Sequence, residues 1–256
     1  MAAAGCLARG TSGPPPAAND HNGGVTLFLH EAHRVRGALE DQFEAHYRDR
    51  WMGALAEDDD ARLAWYTHQA HGTGPAYRIC TITAVRDGGA YGRLLDRVAR
   101  GDLRTWAREL DGLQHDSVGK LLQPLEWSPI HDLDLADVPT DPTVEHELTL
   151  YMEDTGWPHK PLDDYTAFWG EVYAPLIAKS NLLKIEACFQ TAFGAGTRPE
   201  AILMQKVIDH AVLLGLLENE TPAAMKQPGT FMHDALEVRD QWESRLLRTS
   251  AWSPLF

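Results

Sequence analysis

The segment THQAHGTG, Thr67–Gly74, decides the fold because it occurs twice. A variant of it, FQTAFGAG, spans Phe189–Gly196, which is 122 residues further along the chain (189 − 67). Each copy is a β-prone run that ends in a glycine-containing turn. A recurrence of this kind indicates an internal duplication. The chain is therefore predicted to consist of two copies of one module.

Further segments on both sides of this pair repeat with nearly the same spacing. They include an opening strand, an amphipathic helix with apolar residues at helical intervals, a later strand, a second helix, and a final segment that ends in Trp-Ser-Pro. The pairs are TLFLHE (26–31) with TLYMED (149–154), FEAHYRDRWMGALA (43–56) with YTAFWGEVYAPLIA (165–178), YRICTITAVRD (77–87) with PEAILMQKVID (199–209), TWAREL (105–110) with TFMHDA (230–235), and KLLQPLEWSPI (120–130) with RLLRTSAWSPL (245–255).

The order of elements in each copy is strand, helix, strand, strand, helix, strand, the ferredoxin-like βαββαβ unit. Two helices cover one face of such a sheet, and the bare face must be buried elsewhere. We therefore predict an α+β fold in which two ferredoxin-like repeats stack sheet to sheet into one intramolecular barrel. The predicted divisions are a disordered tail over residues 1–23, repeat 1 over 24–131, a linker over 132–143 and repeat 2 over 144–256.

The charge of the chain limits its partners. The formal net charge is −14 and the sequence pI is about 5.2, so the overall field repels nucleic acids and anionic membrane surfaces. No apolar run approaches the roughly 20 residues of a spanning helix. The three cysteines, Cys6, Cys80 and Cys188, form neither a disulfide framework nor a closely spaced zinc motif. We expect reduced thiols, a cytoplasmic location and a small-molecule partner.

With these repeats the sequence resembles the dimeric α+β-barrel superfamily, and most closely NIPSNAP-type domains in tandem. The resemblance rests on FWGEVYAPLIA (168–178), on FQTAFGAG (189–196), and on the Trp-containing second helix and terminal strand. It implies the barrel fold and allows a homodimer, as in many relatives. Those relatives include cofactor-free monooxygenases, polyketide cyclases, haem enzymes and ligand-binding domains, so the fold alone selects no activity.

Strand alternation predicts which side chains line the barrel interior. One face of the first strand is apolar in both copies and is expected under the helices. The other face carries Phe28 and His30, matched by Tyr151 and Glu153, a mixed set that suits a ligand pocket. We predict His30 and Glu153 as catalytic, because burial moves both pKa values towards neutrality. Phe28 and Tyr151 would bind substrate. The simpler alternative places His30 and Glu153 at strand ends, in water.

The second strand offers two faces to the interior. One carries Tyr66 and His68, and the other is centred on Trp65. We favour the first face, which makes His68 catalytic and places Tyr66, Thr81 and Gln190, the counterpart of His68, against the substrate. Copy one is then more polar than copy two. This difference favours one working site and one structural half, although drift after duplication would produce the same pattern.

Five residues raise the question of a metal: His30, Glu31, His33, His68 and His71. The two histidines of each strand are separated by an odd number of positions, so on regular strands they lie on opposite faces. Only a bulge would bring three donors to within roughly 2.0–2.1 Å of one zinc-like ion. We expect no metal and no other cofactor. A haem held by one histidine is an alternative implied by the resemblance.

Two functions from different classes stay open. The first is a small-molecule enzyme, a cofactor-free monooxygenase or a cyclase or isomerase, in which a histidine base acts on an aromatic or polyketide-like substrate in the barrel. The second is a non-catalytic, NIPSNAP-like ligand-binding or protein-interaction scaffold. A haem-binding oxidoreductase is a further alternative. A cavity of a few hundred Å³ beside the predicted residues favours an enzyme, whereas a close-packed interior favours a scaffold.

Overall fold

The computed structural model describes residues 25–256. The predicted disordered tail, residues 1–23, lies outside the described residues. Repeat 1 contributes four strands: β1 (Leu27–Val35), β2 (Ala61–Gln69), β3 (Arg78–Val85) and β4 (Gln114–Pro124). Repeat 2 contributes the equivalent four: β5 (Leu150–Pro158), β6 (Leu183–Thr191), β7 (Ala201–Val207) and β8 (Arg239–Thr249).

The eight strands close into one antiparallel barrel in the order β1-β3-β2-β8-β5-β7-β6-β4. Each repeat forms half of it, and the halves join edge to edge. Strand β2 pairs with β8 from Thr67 to Gln69, and β4 pairs with β6 from Leu122 to Pro124. Closure thus pairs each outer strand with a strand of the other repeat over a short stretch. The predicted α+β barrel of two ferredoxin-like repeats is confirmed.

The first helix of each repeat covers the outside of the barrel and contains one π-helical turn. The helix of repeat 1 runs through Glu40–His46, the π turn Tyr47–Trp51 and Met52–Leu55. The helix of repeat 2 runs through Leu162–Phe168, the π turn Trp169–Tyr173 and Ala174–Ala178. The π turn adds a residue to one turn of the helix. Its first residue in each repeat, Tyr47 or Trp169, is buried against the sheet.

Each repeat has two helices after its third strand, where the sequence predicted one. They are Gly88–Arg100 and Arg104–Leu113 in repeat 1, and His210–Glu218 and Phe231–Asp234 in repeat 2. Asp87 and Asp209 cap the added helices by accepting hydrogen bonds from backbone N–H groups. Short 3-10 turns cover Gly37–Leu39, Leu135–Asp137, Ala223–Lys226 and Ala235–Glu237. Among residues 25–256 no helix is both long and apolar enough to cross a bilayer.

The last strand of each repeat begins and ends six residues earlier than predicted. The prediction over 120–130 and 245–255 extended it through the Trp-Ser-Pro sequences, whereas β4 ends at Pro124 and β8 at Thr249. The tryptophan-containing segments instead form turns, with Ser128 N–H donating to Leu125 O and Ser253 N–H donating to Ser250 O.

These turns hold the two repeats together, and we call them the reciprocal clasp. The Ser128 hydroxyl of repeat 1 accepts the N–H of Cys188 in repeat 2 at 2.8 Å. The Ser253 hydroxyl of repeat 2 accepts the N–H of Tyr66 in repeat 1 at 3.0 Å. Trp252 packs on Tyr66 with ring centroids 4.7 Å apart. The turn after the last strand of each repeat therefore packs on the other repeat.

Three apolar cores result, one in the barrel lumen and one beneath the helices of each repeat. The lumen is filled by side chains from both repeats, including Phe28, Ile82, Phe189, Ile202 and Met204, each at most 1% exposed. The core under the helices of repeat 1, called here the helix layer of repeat 1, includes Phe43, Tyr47 and Tyr66.

Candidate functional site

Three titratable side chains meet in the lumen, and we call them the lumen cluster: His30 on β1, Cys80 on β3 and Glu153 on β5. His30 Nε2 lies 2.7 Å from Glu153 Oε2 and 3.1 Å from Cys80 Sγ. Cys80 Sγ lies 3.8 Å from Glu153 Oε2. All three residues are at most 2% exposed. The structure thus brings together the two lumen residues predicted as catalytic, across the boundary between the repeats.

Contacts within this cluster keep His30 and Glu153 charged, whereas burial alone would favour their neutral forms. Burial lowers the pKa of His30, but the fields of Cys80 and Glu153 outweigh it and raise the pKa to about 10. Burial raises the pKa of Glu153, but His30, with Arg245 and Lys120, lowers it to about 2. The expectation that both pKa values move towards neutrality is wrong, because the two groups bind each other. His30 is thereby kept protonated near neutral pH and is unsuited to act as a general base.

The arrangement also differs from a nucleophile relay. In such a relay the nucleophile and the acid occupy opposite nitrogens of the imidazole. Here Cys80 and Glu153 both approach Nε2 of His30. His30 Nδ1 and Glu153 Oε1 are buried without a hydrogen-bond partner among the described residues. Three donor atoms therefore converge on a shared point instead of forming a chain.

The two predicted substrate-binding residues of the lumen, Phe28 and Tyr151, are where the sequence placed them. Phe28 packs on Phe189 with ring centroids 4.9 Å apart. The Tyr151 hydroxyl accepts a long hydrogen bond from Trp65 Nε1 at 3.4 Å. Their role in substrate binding stays a prediction.

The predicted face of the second strand is wrong. A bulge in β2 between Leu63 and Trp65 turns Trp65 into the lumen. Tyr66 consequently lies in the helix layer of repeat 1, and His68, two positions further on, lies on the same side. Thr81 pairs with Tyr66 across the sheet and shares that side.

Gln190 is likewise misplaced by the prediction. It follows Cys188 by two positions on β6, and Cys188 belongs to the core beneath the helices of repeat 2. A bulge between Ile185 and Ala187 repeats the irregularity of β2. Gln190 is only half-buried. The site predicted from the sequence therefore combined residues that lie on opposite sides of the sheet.

The helix layer of repeat 1 contains a hydrogen-bonded network around His33. Its Nδ1 lies 2.9 Å from Gln114 Oε1, and its Nε2 lies 3.1 Å from Thr81 Oγ1 and 3.2 Å from the Tyr47 hydroxyl. Burial lowers the pKa of His33 to about 4 and raises the pKa of neighbouring Glu31 to about 7. His33 is therefore a neutral imidazole that holds Tyr47 and Thr81 in place.

A second network in the same layer surrounds His68. Its Nδ1 lies 3.2 Å from Glu40 Oε1, and its Nε2 lies 3.0 Å from the Ser250 hydroxyl and 3.2 Å from Glu44 Oε2. The hydroxyl of adjacent Tyr66 is buried without a hydrogen-bond partner among the described residues. Glu40 and Glu44 are about a third exposed or less, so this network reaches the surface.

Sequence reasoning missed His33, Glu44 and Gln114 as parts of these networks. One signal was available: the helix-facing side of the first strand carries an acid in both repeats, Glu31 and its counterpart Asp154. An acid kept on an otherwise apolar face indicates a buried partner. Glu44 and Gln114 gave no such signal, because their partners come from distant segments.

A cavity of about 540 Å³ opens at one mouth of the barrel, and we call it the mouth pocket. Trp65 and Tyr151 connect it to the lumen. Its wall is built by the segment after β4 and by the last three residues of the chain. The lining residues are Trp65, Glu126, Trp127, Ser128, Pro129, Ile130, His131, Asp132, Leu133, Asp134, Asp137, Tyr151, Glu186, Pro254, Leu255 and Phe256.

The mouth pocket combines aromatic rings with acidic groups and one imidazole. Five of its lining side chains are carboxylates, and the lining includes no lysine or arginine. His131 is about one-third exposed. Its Nδ1 lies 3.2 Å from the Leu125 carbonyl, which can only accept a hydrogen bond, so a neutral His131 carries its proton on Nδ1. Nε2 is thereby left as the proton acceptor. The sequence missed His131 because it directly follows the predicted last strand of repeat 1, over 120–130, and was weighed for no site.

Solved structures similar to this chain have the same barrel fold. A monooxygenase-like protein from Lactobacillus acidophilus NCFM is 8% identical with a TM-score of 0.54, covering 91% of this chain and 99% of its own. An anthrone oxidase-like protein is 9% identical with a TM-score of 0.55, covering 88% of this chain and 91% of its own. At this identity the likeness shows the fold alone.

Solved structures of NIPSNAP-type proteins also match about two fifths of this chain. A NIPSNAP domain protein from Burkholderia xenovorans is 17% identical, with 39% of this chain and 95% of that protein covered and a TM-score of 0.34. A likeness at this level carries no conclusion about activity. No protein-family model matches the sequence, and no curated protein matches it either.

Proposed function

We propose that the chain is a small-molecule enzyme of the α+β-barrel type and that its substrate binds in the mouth pocket. The observation that carries this proposal is the pocket itself. Its volume of about 540 Å³ falls in the range of roughly 300–1,000 Å³ that holds small organic ligands, and barrel mouths are a preferred place for such sites. Trp65, Trp127 and Phe256 would bind a planar or aromatic molecule.

In this proposal the general base is His131 rather than His30. Its Nε2 accepts the substrate proton while the Leu125 carbonyl fixes the ring through Nδ1. The Tyr151 hydroxyl receives a hydrogen bond from Trp65, so its own proton is directed to the substrate. The reaction is proton abstraction from an aromatic or polyketide-like molecule, followed by cyclisation, isomerisation or reaction with O₂.

The negative charge of the pocket limits the range of substrates that it can bind. The carboxylates of Glu126, Asp132, Asp134, Asp137 and Glu186 repel a molecule that arrives as an anion. A neutral substrate that is deprotonated only inside the pocket meets a compensating charge, because His131 becomes an imidazolium as the substrate becomes an anion. We therefore propose a neutral or cationic substrate.

Tryptophan fluorescence tests the binding step. Trp65 and Trp127 line the pocket, so neutral aromatic ligands should quench emission to saturation, and carboxylated analogues of the same ligands should bind more weakly. Trp65→Phe keeps an aromatic ring in the pocket and should remove part of the quenching. The proposal is contradicted if no compound in a panel of aromatic and polyketide-like ligands quenches the tryptophan emission.

Turnover tests the catalytic step. For a ligand that binds, His131→Gln should lower kcat by about 10²–10⁴-fold, whereas His159→Gln should leave kcat unchanged. His159 is a matched control because it is partly exposed and also bonds a backbone carbonyl, Glu237 O at 3.1 Å. Equal activity of the two variants would rule out His131 as the base. Repeating the assay without O₂ distinguishes oxygenation from cyclisation.

A non-catalytic scaffold is the second candidate, and the filled lumen favours it. Side chains such as Phe28, Phe189 and Ile202 occupy the space between the two sheets, which is what a purely structural barrel requires. A ligand-binding scaffold predicts quenching without turnover, and a protein-interaction scaffold predicts no quenching. In both cases His131→Gln should turn over no ligand differently from wild type.

Haem, the third alternative, is poorly matched by the histidines that the sequence singled out. Both ring nitrogens of His33 and of His68 already face protein groups within 3.2 Å. His30 is enclosed among lumen side chains and bonded to Glu153. An absorption spectrum of the purified protein tests this directly, since a bound haem gives an intense Soret band.

A further inference from the structure

The lumen cluster has the composition and the convergence of a metal site. A thiol sulfur, an imidazole nitrogen and a carboxylate oxygen lie within 4.8 Å of one another. We propose that His30 Nε2, Cys80 Sγ and Glu153 Oε2 bind one divalent first-row transition ion, with Zn²⁺ as the best match. The site is separate from the mouth pocket, and the inference does not depend on the proposed function.

The distances between the three donor atoms are close to those of a tetrahedral site. With bonds of about 2.0–2.2 Å to nitrogen and oxygen and about 2.3 Å to sulfur, the donors of a tetrahedral zinc ion stand about 3.3–3.6 Å apart. The observed separations are 2.7 Å for nitrogen to oxygen, 3.1 Å for sulfur to nitrogen and 3.8 Å for sulfur to oxygen. Side-chain movements of about half an ångström would therefore admit the ion.

The kind of donor selects the kind of ion. Sulfur and nitrogen donors suit zinc, cobalt and iron, whereas magnesium and calcium prefer an all-oxygen shell. On binding, the ion would displace the proton from His30 Nε2 and the proton of the Cys80 thiol. The resulting thiolate and the Glu153 carboxylate together neutralise a divalent cation, which burial in the lumen requires. The two nearest cations have other partners, because Lys120 lies 2.6 Å from Glu200 and Arg245 lies 2.8 Å from Glu243.

One buried polar atom beside the three donors supports a ligand at this position. Glu153 Oε1 has no hydrogen-bond partner among the described residues, although polar atoms buried this deeply are normally paired. An ion with three protein donors keeps a fourth coordination position. A water molecule bound there could satisfy Glu153 Oε1, which otherwise has only Arg245 at 3.7 Å.

The ligands come from both halves of the molecule. His30 and Cys80 belong to repeat 1, and Glu153 belongs to repeat 2 at the position equivalent to His30. The ion would therefore join the two repeats in the middle of the barrel. A search along each strand could not detect this set, because its members come from three strands and meet only when the barrel closes.

Cobalt binding tests the proposal through its colour. The full-length protein is first freed of metal with a chelator and then titrated with Co²⁺. We expect one ion per chain, a sulfur-to-cobalt charge-transfer band in the near ultraviolet, and visible bands of tetrahedral intensity. Cys80→Ser should abolish the charge-transfer band and weaken binding at least about tenfold. Failure of the wild-type protein to bind Co²⁺ or Zn²⁺ stoichiometrically would overturn the proposal.

The two other cysteines supply matched controls. Cys188 is buried like Cys80 but belongs to the core beneath the helices of repeat 2, and Cys6 lies outside the described residues. Cys188→Ser and Cys6→Ser should keep the full charge-transfer band. A band that survives in Cys80→Ser, or disappears in Cys188→Ser, would place the ion elsewhere and overturn the assignment.

X-ray absorption at the zinc edge gives a test that needs no variant, should Cys80→Ser fail to fold. Zinc-loaded wild-type protein should show one sulfur at about 2.3 Å together with nitrogen and oxygen neighbours at about 2.0–2.2 Å. A shell of nitrogen and oxygen alone would overturn the proposal, because it would exclude Cys80 as a ligand.

Discussion

The two repeats have the same fold but carry different side chains in their outer layers. Repeat 1 encloses polar groups under its helices, where His33 and His68 are bound by networks of side chains. The equivalent positions in repeat 2 are Gly156 and Gln190, and its own buried network is different, with Tyr173 donating to Gln205 and Gln205 donating to Asp154. Repeat 2 also exposes apolar groups on its helix His210–Glu218, where Leu214 and Leu217 are more than half exposed. Duplication therefore kept the barrel and let the two outer layers diverge.

The lumen joins the repeats through a buried ion pair, His30 with Glu153, so the largest effect is expected there. In chelator-treated protein, Glu153→Gln leaves His30 without its buried partner and should lower the free energy of unfolding by about 3–5 kcal/mol. The exposed pair Arg34–Asp116, more than half exposed on both sides, is the control, and Asp116→Asn should cost at most about 1 kcal/mol. Urea denaturation measures both.

The equivalence of positions 30 and 153 can be tested by exchanging their side chains. His30 lies opposite Lys120 on β4, as Glu153 lies opposite Arg245 on β8. The double variant His30→Glu with Glu153→His therefore rebuilds the pair with a cationic residue, now Lys120 in place of Arg245, opposite the carboxylate. It should recover at least half of the stability lost in Glu153→Gln. No recovery would show that the two positions differ in more than their side chains.

The reciprocal clasp allows the next comparison, between its two tryptophans. Trp252 is 5% exposed and donates to Glu44 at 2.8 Å, whereas Trp127 is only half-buried. Trp252→Ala should cost about 3–5 kcal/mol because it removes a buried aromatic side chain. Trp127→Ala should cost less than half as much. Equal losses of unfolding free energy, measured by thermal or urea denaturation, would mean that the two tryptophans stabilise the clasp equally.

The exposed helix of repeat 2 predicts that the chain pairs with a second copy. Patches of this kind on a monomer mark an interaction surface, and the counterpart helix Gly88–Arg100 is mainly polar. Leu214→Glu combined with Leu217→Glu should convert a dimer into a monomer in light scattering after size-exclusion chromatography. Leu95→Glu, at a half-exposed site in repeat 1, should change nothing. A monomeric wild-type protein would contradict the prediction.

The smallest effect concerns pH. Burial raises the pKa of Glu44, but hydrogen bonds with His68, Ser250 and Trp252 lower it to about 2 from an ordinary value of 4.5. The stability that Glu44 contributes is therefore complete above about pH 4.5 and is lost as the pH falls towards 2. Wild type should exceed Glu44→Gln in unfolding free energy at about pH 6, and the difference should shrink in acid. A constant difference would contradict this.

Much of the fold could be predicted because the repeats confirm each other. Matching segments such as those at 43–56 and 165–178 carry the same apolar pattern in two different sequences. The helix Gly88–Arg100 was missed because it buries only Ala90 and Leu94. The last strands were placed too late because β4 begins with a mostly exposed polar run, which has none of the alternation that indicates a strand.

The site was predictable only where strands are regular. On β1 the alternation holds, so Phe28 and His30 were assigned to the lumen side on which they lie. On β2 a single bulge at Ala64 reverses the alternation, which moved Tyr66 and His68 to the other side. No local feature of the sequence reveals that bulge. Likewise, the pKa of His30 depends on Glu153, 123 residues away, and pair contacts of that kind exist only in the closed barrel.

The reciprocal clasp has a consequence for the order in which the protein is made. Ser253 binds Tyr66, which lies 187 residues earlier, and the β2 edge of repeat 1 is completed by β8. During synthesis on the ribosome, repeat 1 emerges before repeat 2 and waits with its inner sheet face uncovered. The first half is therefore completed only when β8 and the turn after it have emerged, and until then it is an aggregation-prone, chaperone-dependent intermediate.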